Sequence, residues 1–163
     1  MIIHNLAISV IQGEQEMLKQ KTYCTNCDKE RIYTIKKEKR NVTVKDLSFE
    51  VEVNVAFCEC CGEQVFPDKV AKENDLIVFD EYRRLKGLLT SQEIKKIREK
   101  RGMTQIELAR FINAGDKNIA RYETGTIQDA VFDNLLRMVD DDMCYNAMCE
   151  MKKRKIINKR LSF

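Results

Sequence analysis

Four of the seven cysteines stand in two pairs whose spacing suits a metal ion. Each pair encloses two residues, and thirty residues separate the pairs, which are Cys24, Cys27, Cys58 and Cys61. A two-residue gap lets the chain bend so that both sulfurs face one ion, and four thiolates form the tetrahedral set that zinc prefers. Asp28 and Gly62 follow the pairs and tolerate the left-handed backbone of such a turn. The sequence therefore predicts one structural Zn²⁺ per chain, with no open position for catalysis.

Other interpretations of the cysteines are weaker. Reduced cysteines often fill a core, but two C-x-x-C pairs seldom arise by chance. The odd number disfavours a disulfide framework, and a redox C-x-x-C needs a βαβ context that is missing. Cys60 could compete as a ligand, although only Cys58 with Cys61 keeps the two-residue gap. Cys144 and Cys149 suit apolar packing better than metal binding.

A second motif, from Gly102 to Gly125, has the pattern of a helix, a tight turn and a second helix. The turn is predicted at residues 113–115, and Asp116 is expected to cap the second helix. The predicted seam between the helices consists of Ile106, Ala109, Phe111, Ile112, Ile119 and Tyr122. Left outside on the second helix are Lys117, Asn118 and Arg121.

These outward side chains suit nucleic acid. Lys117 and Arg121 share one helix face and can donate to guanine in a major groove, while Asn118 can reach a base edge or a phosphate. Thr104 and Gln105, at the start of the preceding helix, suit a phosphate contact. The alternative is an ordinary helical hairpin with solvated charges.

This motif resembles the Cro/C1 (Xre) helix-turn-helix family over about residues 91–142. The resemblance rests on Arg98, Gly102 to Gln105, Leu108-Ala109 and Ala120 to Gly125. The resemblance implies that three residues face DNA bases, namely Asp116, Lys117 and Arg121. It also implies that Gln105 contacts phosphate and that Arg98 pairs with Glu123.

The order of two cysteine pairs followed by such a domain resembles the MqsA family of zinc-finger antitoxins, also called YgiT-type. This resemblance covers residues 22–142. In that family an Asn and an Arg four residues apart on the recognition helix read the operator. Arg121 matches the Arg, but Lys117 stands in the Asn place. The resemblance thus implies an antitoxin with a different operator sequence.

These motifs require an α+β chain: a small N-terminal zinc-ribbon-like β domain, then an all-α, lambda-repressor-like helix-turn-helix domain. The alternation from Phe49 to Phe57 predicts the best strand, residues 31–35 and 41–44 are weaker candidates, and Lys36 to Arg40 is interpreted as a solvated turn. A sheet this small cannot bury enough surface to be stable alone, so an additional stabilising element is expected.

The expected organisation has four parts. The zinc ribbon spans 17–66, a connecting helix 67–87, and the helix-turn-helix domain 88–152, with capping boxes starting at Thr90 and Thr104. Helices are predicted at about 91–101, 104–111, 116–124, 128–139 and 142–152. Residues 153–163 form a basic tail, either solvated or contacting phosphate. Because residues 1–16 lack a pattern, Met17 is expected to be the natural start.

Composition excludes several classes of protein. The chain has 163 residues, a net charge of +3 and one histidine, which argues against histidine-based acid–base catalysis and leaves Glu, Asp, Lys and Cys chemistry open. Because the sequence offers no nucleophile–base pair and no phosphate loop, an enzyme is not expected. No apolar run is long enough to span a membrane. The stretch from Leu6 to Ile11 is too short for the apolar region of a secretory signal and has no basic residue before it, so a cytoplasmic protein is expected.

Together these features predict a sequence-specific DNA-binding repressor, interpreted as the antitoxin of a type II toxin–antitoxin pair that regulates its own operon. One recognition helix reads few base pairs, so a homodimer on a palindromic operator in double-stranded DNA is expected, with a cognate toxin as protein partner. The alternatives are a prophage-type regulator without a toxin and, less supported, a zinc-ribbon enzyme or redox protein.

Overall fold

A computed structural model of the chain describes the backbone of residues 20–161 and the side chains of residues 20–154. The chain divides into two compact units between Ile77 and Val78. The expectation that Met17 is the natural start concerns residues outside this described part. Among residues 20–161, no helix has the length and apolar character needed to cross a membrane.

The first unit contains a four-stranded antiparallel sheet in the order β1-β2-β3-β4. Its strands are β1 (Lys21–Cys24), β2 (Lys29–Val44), β3 (Leu47–Cys58) and β4 (Gln64–Val65). The long β2–β3 hairpin turns at Lys45, which takes a positive φ of 51°. In the part of the chain that the structure describes, β4 pairs only with Ala56 and Phe57. The predicted strand from Phe49 to Phe57 lies within β3.

The interpretation of Lys36 to Arg40 as a turn is wrong, because these residues lie in the middle of β2. The predicted strands at 31–35 and 41–44 are therefore two ends of one strand. Cross-strand ion pairs of 3.0 Å join Lys37 to Glu52 and Lys39 to Glu50. Opposite charges on facing strands favour this register although apolar alternation is missing from β2.

The core of the first unit is small and includes the cysteines. Its buried members are Cys24, Tyr33, Ala56, Cys58, Val65 and Val70. Next to this core, the Asn74 side chain bonds both backbone groups of Asn54: its oxygen accepts from the Asn54 N–H at 2.8 Å, and its amide donates to the Asn54 carbonyl at 2.7 Å. Asn74 thereby occupies the outer edge of β3 just past the end of β4.

Six helices lie within the described residues. They are α1 (Asp68–Leu85), α2 (Ser91–Lys100), α3 (Gln105–Phe111), α4 (Asn118–Glu123), α5 (Ala130–Asp140) and α6 (Asp142–Leu161). The capping boxes predicted at Thr90 and Thr104 are confirmed, and they start α2 and α3. The second unit consists of the C-terminal part of α1 together with α2 to α6.

An apolar core holds the second unit together. Its fully buried members include Ile94, Leu108, Ala109, Ile119, Leu136 and Val139. Ile106 was predicted in the seam, but it is 48% exposed, and Leu108 fills the core instead. Leu108, Ala109 and Ile112 form the inward stripe of α3, and this stripe turns Ile106 toward solvent.

Two helix boundaries differ from the predictions. α4 begins at Asn118 and has no side-chain cap, so Asp116 does not cap it. α6 continues to Leu161, well beyond the predicted end at residue 152. Lys and Arg are good helix formers, so a basic stretch can continue a helix without an apolar pattern.

Candidate functional site

The four paired cysteines converge at one point of the first unit. Their sulfurs all lie within 4.8 Å of one another, with 3.5 Å between Cys24 and Cys61 and 4.0 Å between Cys27 and Cys58. Four ligands at the Zn–S distance of about 2.3 Å stand about 3.8 Å apart in a tetrahedron. The spacing and the all-sulfur donor set therefore fit zinc, and the predicted ligand set is confirmed.

Local backbone geometry brings each pair together. Asp28 and Gly62 follow their pairs with φ of 53° and 77°, as predicted. The Gly62 N–H donates to the Cys58 carbonyl at 2.9 Å and closes the second turn. The Cys58 N–H in turn donates to the Glu63 carbonyl at 2.8 Å, which ties this turn to the start of β4.

Polar groups around the sulfurs shift the pKa values of the thiols. Hydrogen bonds from the Asn26 side chain and the Glu63 backbone lower the pKa of Cys61 to about 6. The hydrogen bond with Cys61 raises the pKa of Cys27 to about 12, and the Arg31 guanidinium opposes that rise by its own hydrogen bond to Cys27. Zinc binding requires all four thiolates, so donors of this kind favour the metal-binding form.

Arg31 lies beside the ligands, and its guanidinium acts to lower the pKa of Cys27. Its Nε is buried without a hydrogen-bond partner in that part of the chain. It lines a cleft of about 380 Å³ with Lys21, Glu59 and Cys60. Sequence reasoning missed Arg31, because its place opposite Thr22 follows only from the β1–β2 register.

The remaining cysteines are not part of this cluster. Cys60 is exposed between the two ligands of the second turn. Cys144 and Cys149 lie on α6, in the second unit, where both are half-buried.

In the second unit, α3 and α4 form the predicted helix-turn-helix. Asn113 takes a positive φ of 56° at the turn, and Ile119 and Tyr122 bury the inner face of α4. Lys117 and Arg121 are exposed, and neither has an ion pair within residues 20–154. Asn118 is half-buried at the first turn of α4.

Three other predicted DNA contacts already have partners in the protein. The Thr104 hydroxyl accepts from the Glu107 N–H at 3.2 Å, and the Gln105 amide donates to Glu123 at 2.7 Å. Arg110 donates two hydrogen bonds to Asp116, at 3.0 and 2.8 Å, and this ion pair lowers the pKa of the Asp116 carboxyl.

Arg98 and Glu123 form a two-pronged ion pair. Arg98 Nε and Nη2 donate to the two carboxylate oxygens at 2.6 and 3.1 Å, and the side chains are only 15% and 6% exposed. A third donation from Arg98 reaches the Met103 carbonyl at 3.1 Å. The pair joins the end of α2 to the end of α4, so it fixes the orientation of α4.

A buried polar network holds α4 from the other side, and sequence reasoning did not find it. Arg83 is completely buried and donates to Asp80 at 2.6 Å, to Gln128 at 3.0 Å, and to the carbonyls of Tyr122 and Thr126. Asp80 also accepts from the Ser91 N–H and hydroxyl. The C-terminal part of the predicted connecting helix is therefore built into the second unit.

A model of the family described as the antitoxin component of a bacterial toxin–antitoxin system, MqsA, matches residues 23–143. The chain belongs to the MqsA antitoxin family. A search of curated proteins finds no match. The family match covers the four cysteines and both helices of the helix-turn-helix, so the resemblance stated from the sequence is confirmed. The protein is thus an antitoxin with a zinc site.

Proposed function

We propose that this antitoxin represses its own operon by sequence-specific DNA binding through α3 and α4. The observation that carries the proposal is the outward face of α4. Lys117 and Arg121 lie one turn apart there and are exposed without an ion-pair partner in residues 20–154. Cations of this kind on a recognition helix are free to donate to guanine edges or phosphates.

Neighbouring residues support the same role. Arg110 neutralises Asp116, so this carboxylate repels a phosphate less than a free one would. The Gln105 amide uses one N–H on Glu123 and keeps a second for a phosphate. Asn118 follows Lys117 and can add a base or phosphate contact. Since a single recognition helix reads few base pairs, the proposed complex is a homodimer on a palindrome.

Binding assays with DNA from directly upstream of the gene test this proposal. Lys117→Ala and Arg121→Ala should each weaken binding by about 1–3 kcal/mol and relax preference at one base pair. Gln105→Ala should weaken binding to all sequences evenly, as a phosphate contact does. Lys96→Ala, an exposed lysine on α2, is the control and should change little. Equal losses on specific and random DNA for Arg121→Ala would contradict base readout.

The first unit is proposed to hold the toxin, through the outer edge of β3. β4 covers only Ala56 and Phe57, and Asn74 covers Asn54. In an antiparallel ladder every second residue points its backbone groups the same way, so those of Ser48, Glu50 and Glu52 face this edge as Asn54 does. Within residues 20–161 no strand pairs with them there. A strand of the toxin could add to the sheet at this edge.

Apolar surface lies next to the same edge. A cleft of about 190 Å³ is lined by Val53, Val55, Val70 and Pro67, and Phe66 beside it is 77% exposed. A partner strand on β3 would bring its side chains to this cleft. Backbone pairing with an adjoining apolar pocket is the usual basis of such strand addition.

Substitutions at Glu50 test the edge in the full chain. Glu50→Pro removes an N–H that faces the edge, whereas Glu50→Ala removes only an exposed ion pair with Lys39. Co-expressed with the toxin-like neighbouring gene, the proline variant should lose protection against growth inhibition and the alanine variant should keep it. If both variants protect equally, the edge is not the docking site. If the wild-type chain neither binds nor neutralises the neighbour's product, the alternative of a regulator without a toxin partner is favoured.

A further inference from the structure

α6 extends beyond the part of the chain that the family description covers. The match ends at residue 143, whereas α6 runs from Asp142 to Leu161. Twenty helical residues span about 30 Å. Between 152 and 161 the sequence has six basic residues and no acidic one: Lys152, Lys153, Arg154, Lys155, Lys159 and Arg160. The distal part of α6 is therefore strongly cationic.

The proximal part of α6 is anchored beside the helix-turn-helix. The ring of Tyr145 packs against Phe111 at a tilt of 37°, with centroids 5.3 Å apart, and the Arg101 guanidinium lies 4.2 Å from the Tyr145 centroid. Met148 packs on the same core. One turn further, Lys152 Nζ lies 4.9 Å from the Phe111 ring centroid.

These contacts fix the position of the cationic part of α6 relative to the helix-turn-helix. Phe111 is the last residue of α3, and the turn through Asn113 leads to α4 at Asn118. The nine residues after Lys152 carry the α6 backbone about 13 Å beyond this contact. Of those with described side chains, Lys153 and Arg154 are exposed, and Lys153 has only a surface ion pair with Glu150 at 3.3 Å. Lys153 and Arg154 thus lie at the same end of the unit as the turn before α4.

We propose that Lys153 and Arg154, at the start of the cationic end of α6, contact DNA phosphates flanking the half-site that α4 reads. The partner is the backbone of double-stranded DNA, chosen by charge: an acid-free cationic helix end matches closely spaced phosphates. These contacts carry no base preference and extend the footprint outward from each half-site. The proposal rests on DNA binding by α3 and α4.

A matched pair of double variants tests the proposal in the full, zinc-loaded chain. Lys153→Gln with Arg154→Gln removes two charges from α6, and Lys69→Gln with Lys72→Gln removes two exposed charges from α1. Binding is measured from low to high salt, on the upstream DNA and on a random-sequence duplex. Each lost phosphate contact should reduce the slope of log affinity against log salt by about 0.9. We expect the α6 variant to lose up to about two such contacts on both DNAs, and the α1 variant to keep the wild-type slope.

Hydroxyl-radical footprinting distinguishes loss of these flanking contacts from a general loss of folding or of DNA binding. The α6 variant should lose the outermost protected sugars and keep the central ones, with an unchanged melting temperature. An unchanged salt slope and footprint would overturn the proposal and leave residues 153–163 as a solvated tail. The random duplex keeps the test independent of the operator. If the wild-type chain shows no preference for the upstream DNA, autoregulation is refuted, but binding to the random duplex still shows whether α6 contacts phosphates.

Discussion

In the first unit the sulfurs of Cys24 and Cys58 lie in the core itself, whereas the core of the second unit consists of aliphatic side chains such as Ile94, Leu108 and Leu136. The first unit has a thin sheet with few buried residues around the metal ligands. The second adds to its apolar core a buried arginine and a nearly buried ion pair. A metal can thus replace a large core where the chain is too short to build one, while buried polar pairs orient helices in a core that already exists.

Loss of one zinc ligand should produce the largest effect and separate the two units. Structural zinc contributes about 10–16 kcal/mol of apparent folding free energy, so Cys24→Ser should unfold residues 22–66 and leave the helices of the second unit folded. Cys60→Ser is the control and should retain zinc, because Cys60 is exposed outside the cluster. Metal content and limited proteolysis measure both. Zinc loss in Cys60→Ser but not in Cys58→Ser would show that the ligand set is wrong.

Breaking the buried polar network should destabilise the second unit and leave the first unit intact. Asp80→Ala leaves the Arg83 guanidinium buried without its carboxylate, which costs about 3–5 kcal/mol. The helical unit should unfold at lower temperature, and the chain should still bind one zinc. Glu81→Ala, which removes the more exposed pair with Arg84, is the control. A melting curve equal to that of the control would refute the structural role of Arg83.

Glu123→Ala tests the second polar anchor of α4. The substitution leaves Arg98 and the Gln105 amide without their carboxylate, and we expect a loss of about 3 kcal/mol in the stability of the helical unit. Glu99→Ala removes two 3.9 Å contacts, with Arg98 and Lys95, from a half-exposed side chain, so its effect should stay below about 0.5 kcal/mol. Thermal unfolding followed at a helix-specific wavelength compares the two. Identical curves for the two variants would contradict the pairing.

The smallest expected effect concerns Arg31, whose guanidinium acts to lower the pKa of the ligand Cys27. Groups that hydrogen-bond to metal ligands typically change affinity by about 10–100-fold, and Arg31→Met should lower zinc affinity by about tenfold. Lys21→Met removes a cation from the same cleft without touching a ligand and should leave affinity unchanged. Competition with a chromophoric chelator gives both values. Equal affinity in the two variants would remove Arg31 from the metal centre.

Local patterns made much of this structure predictable. The zinc ligands follow from the two-residue gap within each pair, and the starts of α2 and α3 follow from hydroxyl and carboxylate residues three positions apart. The secondary structure of two charged stretches was wrongly predicted. Lys36 to Arg40 form a strand because Glu50 and Glu52 lie on the facing strand, and the basic end of α6 continues a helix although it looks like a frayed tail.

Contacts between distant residues could not be predicted in the same way. Arg83 meets Gln128 across 45 positions, and Asn74 meets Asn54 across 20. Nothing in a single sequence links such partners, because the register of a sheet or the packing of helices decides which polar groups meet. Arg31 reaches the metal site for the same reason, through strand pairing.

Amide NMR spectra of the full chain during titration with a zinc chelator test the central claim most directly, namely that zinc holds the first unit while the second stands without it. We predict that signals of residues 22–66 collapse into the narrow range of unfolded chain as zinc leaves, whereas those of α2 to α5 keep their positions. Loss of both sets of signals together would contradict the account, and so would a first unit that stays dispersed with no zinc bound.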